Sequence, residues 1–215
     1  SSRHLLGLIN EVLDMSRIES GKISLNDEEF NLSELVENVL AFIKTELSSH
    51  EHQFDVTINK IEHEDVCGDS LRIQQLLLNI LTNAIKYTPN QGHIEFIINE
   101  IPTHSSKLGC YEFIVKDNGI GMSENFQKVM FDPFTRVDEN RATQIQGTGL
   151  GLAIAENIAK MMNGSIDVVS TINQGSKFTI TIYLLLQDKR MDKIEEFIHL
   201  PVLVVDDDII SCETT

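Results

Sequence analysis

The segment that most limits what this chain can fold into is 70–87, Ser-Leu-Arg-Ile-Gln-Gln-Leu-Leu-Leu-Asn-Ile-Leu-Thr-Asn-Ala-Ile-Lys-Tyr. Asp69 stands where a helix cap belongs, and Thr88-Pro89-Asn90-Gln91-Gly92 closes the stretch, so one strongly apolar helix is predicted. Leu76, Leu77, Ile80, Leu81, Ala84 and Ile85 form its core-facing side. Asn79, Asn83, Lys86 and Tyr87 fall at i, i+4, i+7 and i+8 and share another face. Two carboxamides and an ammonium on an apolar helix are costly unless they meet something polar. Asparagine oxygen is a hard ligand suited to a magnesium ion, and lysine is a point charge for phosphate. The competing explanation is a solvated polar face with no ligand.

Composition narrows the choices. The 215 residues can hold one good-sized domain with appendages, and 41% hydrophobic with 23% charged residues is ordinary for a globular protein. No apolar run approaches the roughly 20 residues needed to cross a bilayer, and no cleavable signal is visible, so a soluble fragment is expected. Cys67, Cys110 and Cys212 are widely spaced with no C-x-x-C pair. That spacing favours reduced cytoplasmic thiols over a disulfide framework or a zinc site. A formal charge of −16 argues against non-specific nucleic-acid binding, which needs a basic face. It also means that a polyphosphate ligand would need a metal, backbone N–H groups and a few placed cations.

Along the chain, Leu5, Leu8, Ile9, Val12, Met15 and Ile18 make a narrow helical stripe that needs a partner helix, and Gly21 stops it. A second helix starts at Asn31 or Ser33, with Leu35, Val36, Val39, Leu40 and Ile43 apolar. Strands are predicted at 54–58, 93–99, 111–116, 165–170 and 176–186, and a helix at 151–162. Residues 119–146 are polar and irregular apart from Phe131 and Phe134. Without a regular β-α-β alternation, the expected class is α+β: a two-layer sandwich with helices on one face of a mixed sheet.

Two further segments carry chemistry. Asp117-Asn118-Gly119-Ile120-Gly121-Met122 follows a strand, where glycines permit close backbone approach to a flat base and a buried aspartate can accept from an exocyclic amine. The same string also suits a simple turn. Gly147-Thr148-Gly149-Leu150-Gly151-Leu152 opens a helix, and such a start is an anion site. It is neither a dinucleotide fingerprint nor a P-loop, because no strand leads into it and no Lys-Ser/Thr follows.

Together these strings resemble the sensor histidine kinases. Asn79 to Thr88 looks like their N box, Asp117 to Met122 like the G1 box, Phe131-Asp-Pro-Phe134 like the F box, and Gly147 to Leu152 like the G2 box. The resemblance covers about residues 25–186. It implies the Bergerat fold of the GHKL superfamily, shared with gyrase and the heat-shock chaperones, with a mobile ATP lid over 123–146.

The resemblance also implies ligands and roles. ATP with Mg²⁺ is the expected pair, Asn83 coordinating the metal and Asn79 assisting on the metal and phosphate side. Lys86 is expected on phosphate, Tyr87 flanking adenine or ribose, and Asp117 on the adenine amino group. Gly119 and Gly121 give the backbone room, and Gly147, Thr148, Gly149, Leu150 and Gly151 cradle the phosphates. Arg136 and Arg141 reach the polyphosphate, and Ser176 joins the adenine-side network. Hydrolytic members of the superfamily carry a glutamate where Asn79 stands. An amide cannot take a proton from water at neutral pH, which favours transfer to another nucleophile.

The expected organisation is the end of a dimerisation helix at 1–23, a catalytic domain at 24–187, a linker at 188–200 and the first strand of a receiver domain at 201–215. The acidic run Asp206-Asp207-Asp208 after Val202-Leu203-Val204-Val205 suggests a hybrid kinase. His4 lacks the Ser-His-Glu-φ-Arg-x-Pro setting of a phosphoacceptor, and His50, His52, His63, His93, His104 and His199 lack it too. The acceptor histidine is therefore expected in a separate hairpin domain, with a response regulator or receiver downstream and a parent that is homodimeric and membrane-anchored, its catalytic part cytoplasmic. A nucleotide-binding signalling module without kinase activity is the alternative. A chaperone- or topoisomerase-like ATPase is disfavoured by Asn79.

Overall fold

A computed structural model describes residues 12–17, 20, 24–48, 51–136 and 147–187. A helical stretch at 12–17 (α1) precedes β1 (Glu28–Asn31) and α2 (Leu32–Leu47). Then come β2 (Gln53–Ile58), β3 (Asp65–Gly68), α3 (Ser70–Tyr87), β4 (His93–Ile101) and β5 (Leu108–Asp117). The short α4 (Glu124–Gln127), α5 (Gly151–Met161), β6 (Ser165–Thr171) and β7 (Gly175–Leu186) complete the described elements. The α+β mixed sheet expected from the sequence is present. The expected receiver strand at 201–215 and the linker at 188–200 lie outside the described residues, as does His4.

The strands form a seven-stranded sheet in the order β1-β3-β7-β5-β4-β2, with β6 pairing a second stretch of β7. Only the β2–β4 pair is parallel; the other pairs are antiparallel. Alternation along the strands decides the layers. Ile94, Phe96 and Ile98 of β4, Tyr111, Phe113 and Val115 of β5, and Phe178, Ile180, Ile182 and Leu184 of β7 are buried. The register pairs Phe96 with Val115 and Val115 with Phe178, so these residues share one face. Helices α2, α3 and α5 cover that face with Val39, Ile43, Ile73, Leu77, Ile80, Leu81, Ile154 and Ile158, each at most 1% exposed. Each such side chain contributes roughly 1.5–3 kcal/mol by leaving water. The opposite face carries solvated pairs such as Lys116–Glu95, 2.8 Å, and Asn99–Glu112, 2.8 Å.

Capping fixes where the helices begin. Asp69 accepts from the Arg72 amide at 3.0 Å, and Asn31, rather than Ser33, accepts from the Glu34 amide at 3.2 Å. The 18-residue α3 spans the predicted 70–87. Two four-residue strands, β1 and β3, have no counterpart in the sequence reading. The α1 stretch packs on the domain through Met15, 7% exposed, and through Asp14, which accepts from Arg72 Nη1 at 3.2 Å and Gln75 Nε2 at 2.9 Å.

Candidate functional site

One cavity of about 920 Å³ opens between α3, the end of β5 and the start of α5. Its walls include Asn79, Asn83, Lys86 and Tyr87 from α3, Asp117 and Ser176 from the sheet, Gly121 from the loop after β5, and Gly147, Thr148, Gly149 and Gly151. Arg136 closes one side. The structure therefore gathers into one place residues separated by up to 136 positions, from Phe42 to Phe178. Gly119 and Leu150 stand just behind the wall. Leu150 is wholly buried in the core, with its amide 3.2 Å from Thr148 Oγ1. Arg141 lies outside the described residues.

Each polar group is held by its element. Asn79 Nδ2 donates to the Gly151 carbonyl at 3.1 Å, tying α3 to the first residue of α5 and fixing which way the carboxamide faces. The Lys86 ammonium is 5.0 Å from the Tyr87 ring centroid and lies against Gly147, where a Cβ would come within 2.5 Å of it. Burial pushes the Tyr87 phenol up, and the nearby Arg136 guanidinium pulls it partly back.

Asp117 is the last residue of β5 and pairs with Ser176 across the ladder. Burial raises its carboxyl above the ordinary aspartate value, while the Gly119 and Ser176 amides hydrogen-bond to it and lower it. The Gly119 bond is 2.8 Å. A Cβ on Gly119 would sit 2.5 Å from the Tyr87 carbonyl oxygen and 2.7 Å from Asp117 Oδ1. Glycine there lets the chain turn tightly around the carboxylate. Gly121 takes φ +62° with its Cα packed on the Thr171 carbonyl, a conformation that an L side chain resists.

The glycine-rich start of α5 is open. Its cap residue Leu150 offers no side-chain hydrogen bond to the first-turn N–H groups. They open beside a cavity that Gly147, Gly149 and Gly151 line without side chains. Gly149 has φ +75° and receives the Phe134 amide on its carbonyl at 3.0 Å, which clasps the 131–134 segment to the glycine run. Phe134 itself has φ +64° and is 65% exposed. Together the open helix start, Lys86 and Arg136 can receive an anion, and Asp117 with Ser176 can receive a hydrogen-bond donor at the far end.

No group of three or more His, Cys, Asp or Glu side chains that could hold a metal occurs among the described residues. The donor set fits an ion brought in with a polyphosphate, since Asn83 lines the cavity with Asn79, Thr82 and Glu46 at the same end of α3 and α2. Magnesium keeps most of its waters and takes few protein oxygens, which one carboxamide beside a phosphate site satisfies.

Sequence reasoning missed part of the wall. Phe42 and Glu46 come from α2, and Met122, Phe126, Met130 and Phe178 supply apolar surface. Phe42 lies at the edge of the buried stripe of α2, seven residues after Leu35, yet stays 45% exposed, and a large aromatic on that edge is the available signal. Met130 is only 2% exposed and joins the core.

Comparison with known proteins agrees with this geometry. The model of the family described as "Histidine kinase-, DNA gyrase B-, and HSP90-like ATPase" matches residues 68–186. Hybrid signal transduction histidine kinase B of Dictyostelium discoideum is 35% identical over 182 residues, 85% of this chain and 9% of its own length. Sensor protein GacS of Pseudomonas syringae pv. syringae is 35% identical over 209 residues, 94% of this chain and 22% of that protein. The chain thus spans less than a quarter of the curated relatives it matches. Full-length ShkA, solved in complex with AMPPNP, shares the fold with a TM-score of 0.70 at 24% identity, over 86% of this chain and 36% of ShkA.

Proposed function

The chain belongs to the histidine kinase-, DNA gyrase B- and HSP90-like ATPase family, and on that premise we propose that its cavity binds ATP with Mg²⁺ and donates the γ-phosphoryl to a histidine on a separate hairpin domain. The observation that carries this reading is the convergence of Asn83, Lys86, Asp117 and the Gly147–Gly151 run on one cavity whose helix start is uncapped. ATP needs a donor-accepting end for the base and an anion-receiving end for the phosphates, and the cavity has both.

In this reading Asp117 accepts from the adenine amine and Ser176 supports it, while Tyr87 flanks the base or ribose. Lys86, Arg136 and the amides of Gly147, Thr148, Gly149 and Gly151 hold the phosphates, the Leu150 amide is turned to Thr148 Oγ1, and Arg141 is a further cation for the same end. Asn83 holds the metal through its side-chain oxygen, and Asn79 assists while fixing the Gly151 carbonyl. A magnesium ion held there would supply neutralisation of the phosphate charge. The residues of this chain position the donor and shield it, since phosphoryl transfer asks mainly for alignment and charge stabilisation. Asn79 cannot serve as a general base for water, which favours transfer over hydrolysis.

Residues 1–23 are read as the end of a dimerisation helix and 201–215 as the start of a receiver, so the parent is read as a homodimeric hybrid kinase in a two-component phosphorelay, with a membrane anchor implied only by the family resemblance. The catalytic part belongs in the cytoplasm, where ATP is kept. No helix among the described residues is long and apolar enough to cross a membrane. The deciding experiment mixes the 215-residue chain with a separately made hairpin domain and γ-labelled ATP. Label on the hairpin histidine is expected, and an unlabelled hairpin beside nucleotide-loaded chain would leave a binding module without kinase activity.

A further inference from the structure

We infer that Ser170, which stands behind the cavity wall, selects the base that the cavity accepts by fixing the hydroxyl proton of Ser176. The inference rests on the ATP reading above and adds a residue to it. Ser170 lies on β6 directly across from Ser176 on β7. A serine hydroxyl has one proton and two lone pairs. The Met122 amide donates to Ser170 Oγ at 2.8 Å, and Ser170 Oγ donates to the Gly175 carbonyl at 2.9 Å. The Ser176 hydroxyl lies 3.0 Å from the same oxygen. With its only proton on Gly175, Ser170 can meet Ser176 only as acceptor, so Ser176 is the donor of that pair.

Ser176 then has no proton left for the cavity that it lines and shows it lone pairs only. Its backbone N–H lies near enough to the Asp117 carboxylate to favour the charged form. Asp117 also accepts the Gly119 amide at 2.8 Å, which supports its acceptor-only form against the burial that raises its pKa. One wall of the cavity therefore presents two neighbouring acceptors and no donor. Its chemical complement is an amino group with two protons, met directly or through a water that passes the same polarity on. A 6-aminopurine provides it. A 6-oxopurine sets a carbonyl oxygen against both acceptors. Gln127 keeps the arrangement in place, since its Nε2 donates to the Met122 carbonyl at 3.1 Å and to the Ser170 carbonyl at 3.0 Å.

The test titrates the 215-residue chain and its variants calorimetrically with ATP and with inosine triphosphate, and reads the ratio of the two affinities. Ser170→Ala releases the Ser176 proton to turn into the cavity, which removes an acceptor from ATP and offers a donor to the 6-oxo group. The preference for ATP should narrow roughly 3- to 10-fold. Ser170→Thr keeps the hydroxyl and should keep the ratio. Should Ser170→Ala not fold, Ser170→Cys retains the size with a poor donor and acceptor, and the same narrowing is expected. Equal weakening of both nucleotides, or an unchanged ratio, would overturn the role assigned to Ser170 and leave ATP binding standing. A wild-type chain that binds neither nucleotide would instead remove the ATP reading, and this inference with it.

Discussion

Replacing Gly151 by alanine should move stability and nucleotide affinity in opposite directions. Gly151 is the first residue of α5, and a Cβ there would meet the Asn79 side chain at 3.7 Å for both Cγ and Oδ1. That is ordinary contact, so the apo fold has room for the methyl. Alanine is favoured over glycine in a helix by up to about 1 kcal/mol, and about half of that is reasonable in a first turn. For a domain of this size the melting temperature should rise by about 1–2 °C. A ligand atom hydrogen-bonded to Asn79 Oδ1 would sit about 3 Å from it. The new methyl also lies 3.7 Å from that oxygen, on the side where Gly151 lines the cavity. Two heavy atoms there need roughly 3.5–4.0 Å between them. The ligand must shift, and a loss of about tenfold in affinity, near 1.4 kcal/mol, is expected. Thermal melts together with calorimetric ATP titrations measure both quantities on one sample. A raised melting temperature with unchanged affinity would refute the placement of the hydrated metal ion, whose water donates to Asn79 Oδ1, at the Asn79–Gly151 corner.

Other substitutions test other links. Gly149→Ala forces a side chain onto φ +75° with its Cβ 2.8 Å from the Phe134 carbonyl carbon, so a loss of about 2 kcal/mol is expected in urea unfolding. Ile80→Ala, at a position with no exposure on α3, should cost about 2–5 kcal/mol in the same assay while leaving the cavity chemistry in place. Asp117 binds the amine as a carboxylate, and burial raises its folded pKa. Its charge therefore opposes folding at neutral pH: the stability tied to its protonated form is full below the unfolded pKa and is lost as pH rises through the folded one. ATP affinity should accordingly fall on acidification sooner than an exposed aspartate would dictate. A pH series of titrations checks this, with Asp117→Ala as the flat, weak-binding control.

How far the sequence could be read followed from how local each signal is. The α3 helix was legible because its cap Asp69, its apolar rows and its Thr88-Pro89 stop all lie within one window. β5 ending at Asp117 and α5 opening at Gly151 were legible for the same reason. The strands β1 and β3 were not. They are four residues long and mostly polar, and their place depends on pairing Val66 with Leu186, far along the chain. Single-sequence periodicity carries no information about such a partner. The cavity showed the same division. The α3 face and the glycine strings announced themselves, whereas Phe42 and Glu46 reach the cavity only because α2 packs beside α3. The bonds of Ser170 to Met122, Gly175 and Ser176 arise from a hairpin register and a loop crossing that no residue pattern displays.

The central claim is that one cavity holds ATP with its metal on Asn83 and its base on Asp117. Calorimetric titration of ATP into the wild-type chain and into Asn83→Ala, each with and without Mg²⁺, tests it most directly. The account predicts that Mg²⁺ strengthens ATP binding to the wild-type chain and that Asn83→Ala abolishes that increment while retaining weaker, metal-independent binding. An increment of equal size in both proteins, or no ATP binding to the wild-type chain, would contradict it.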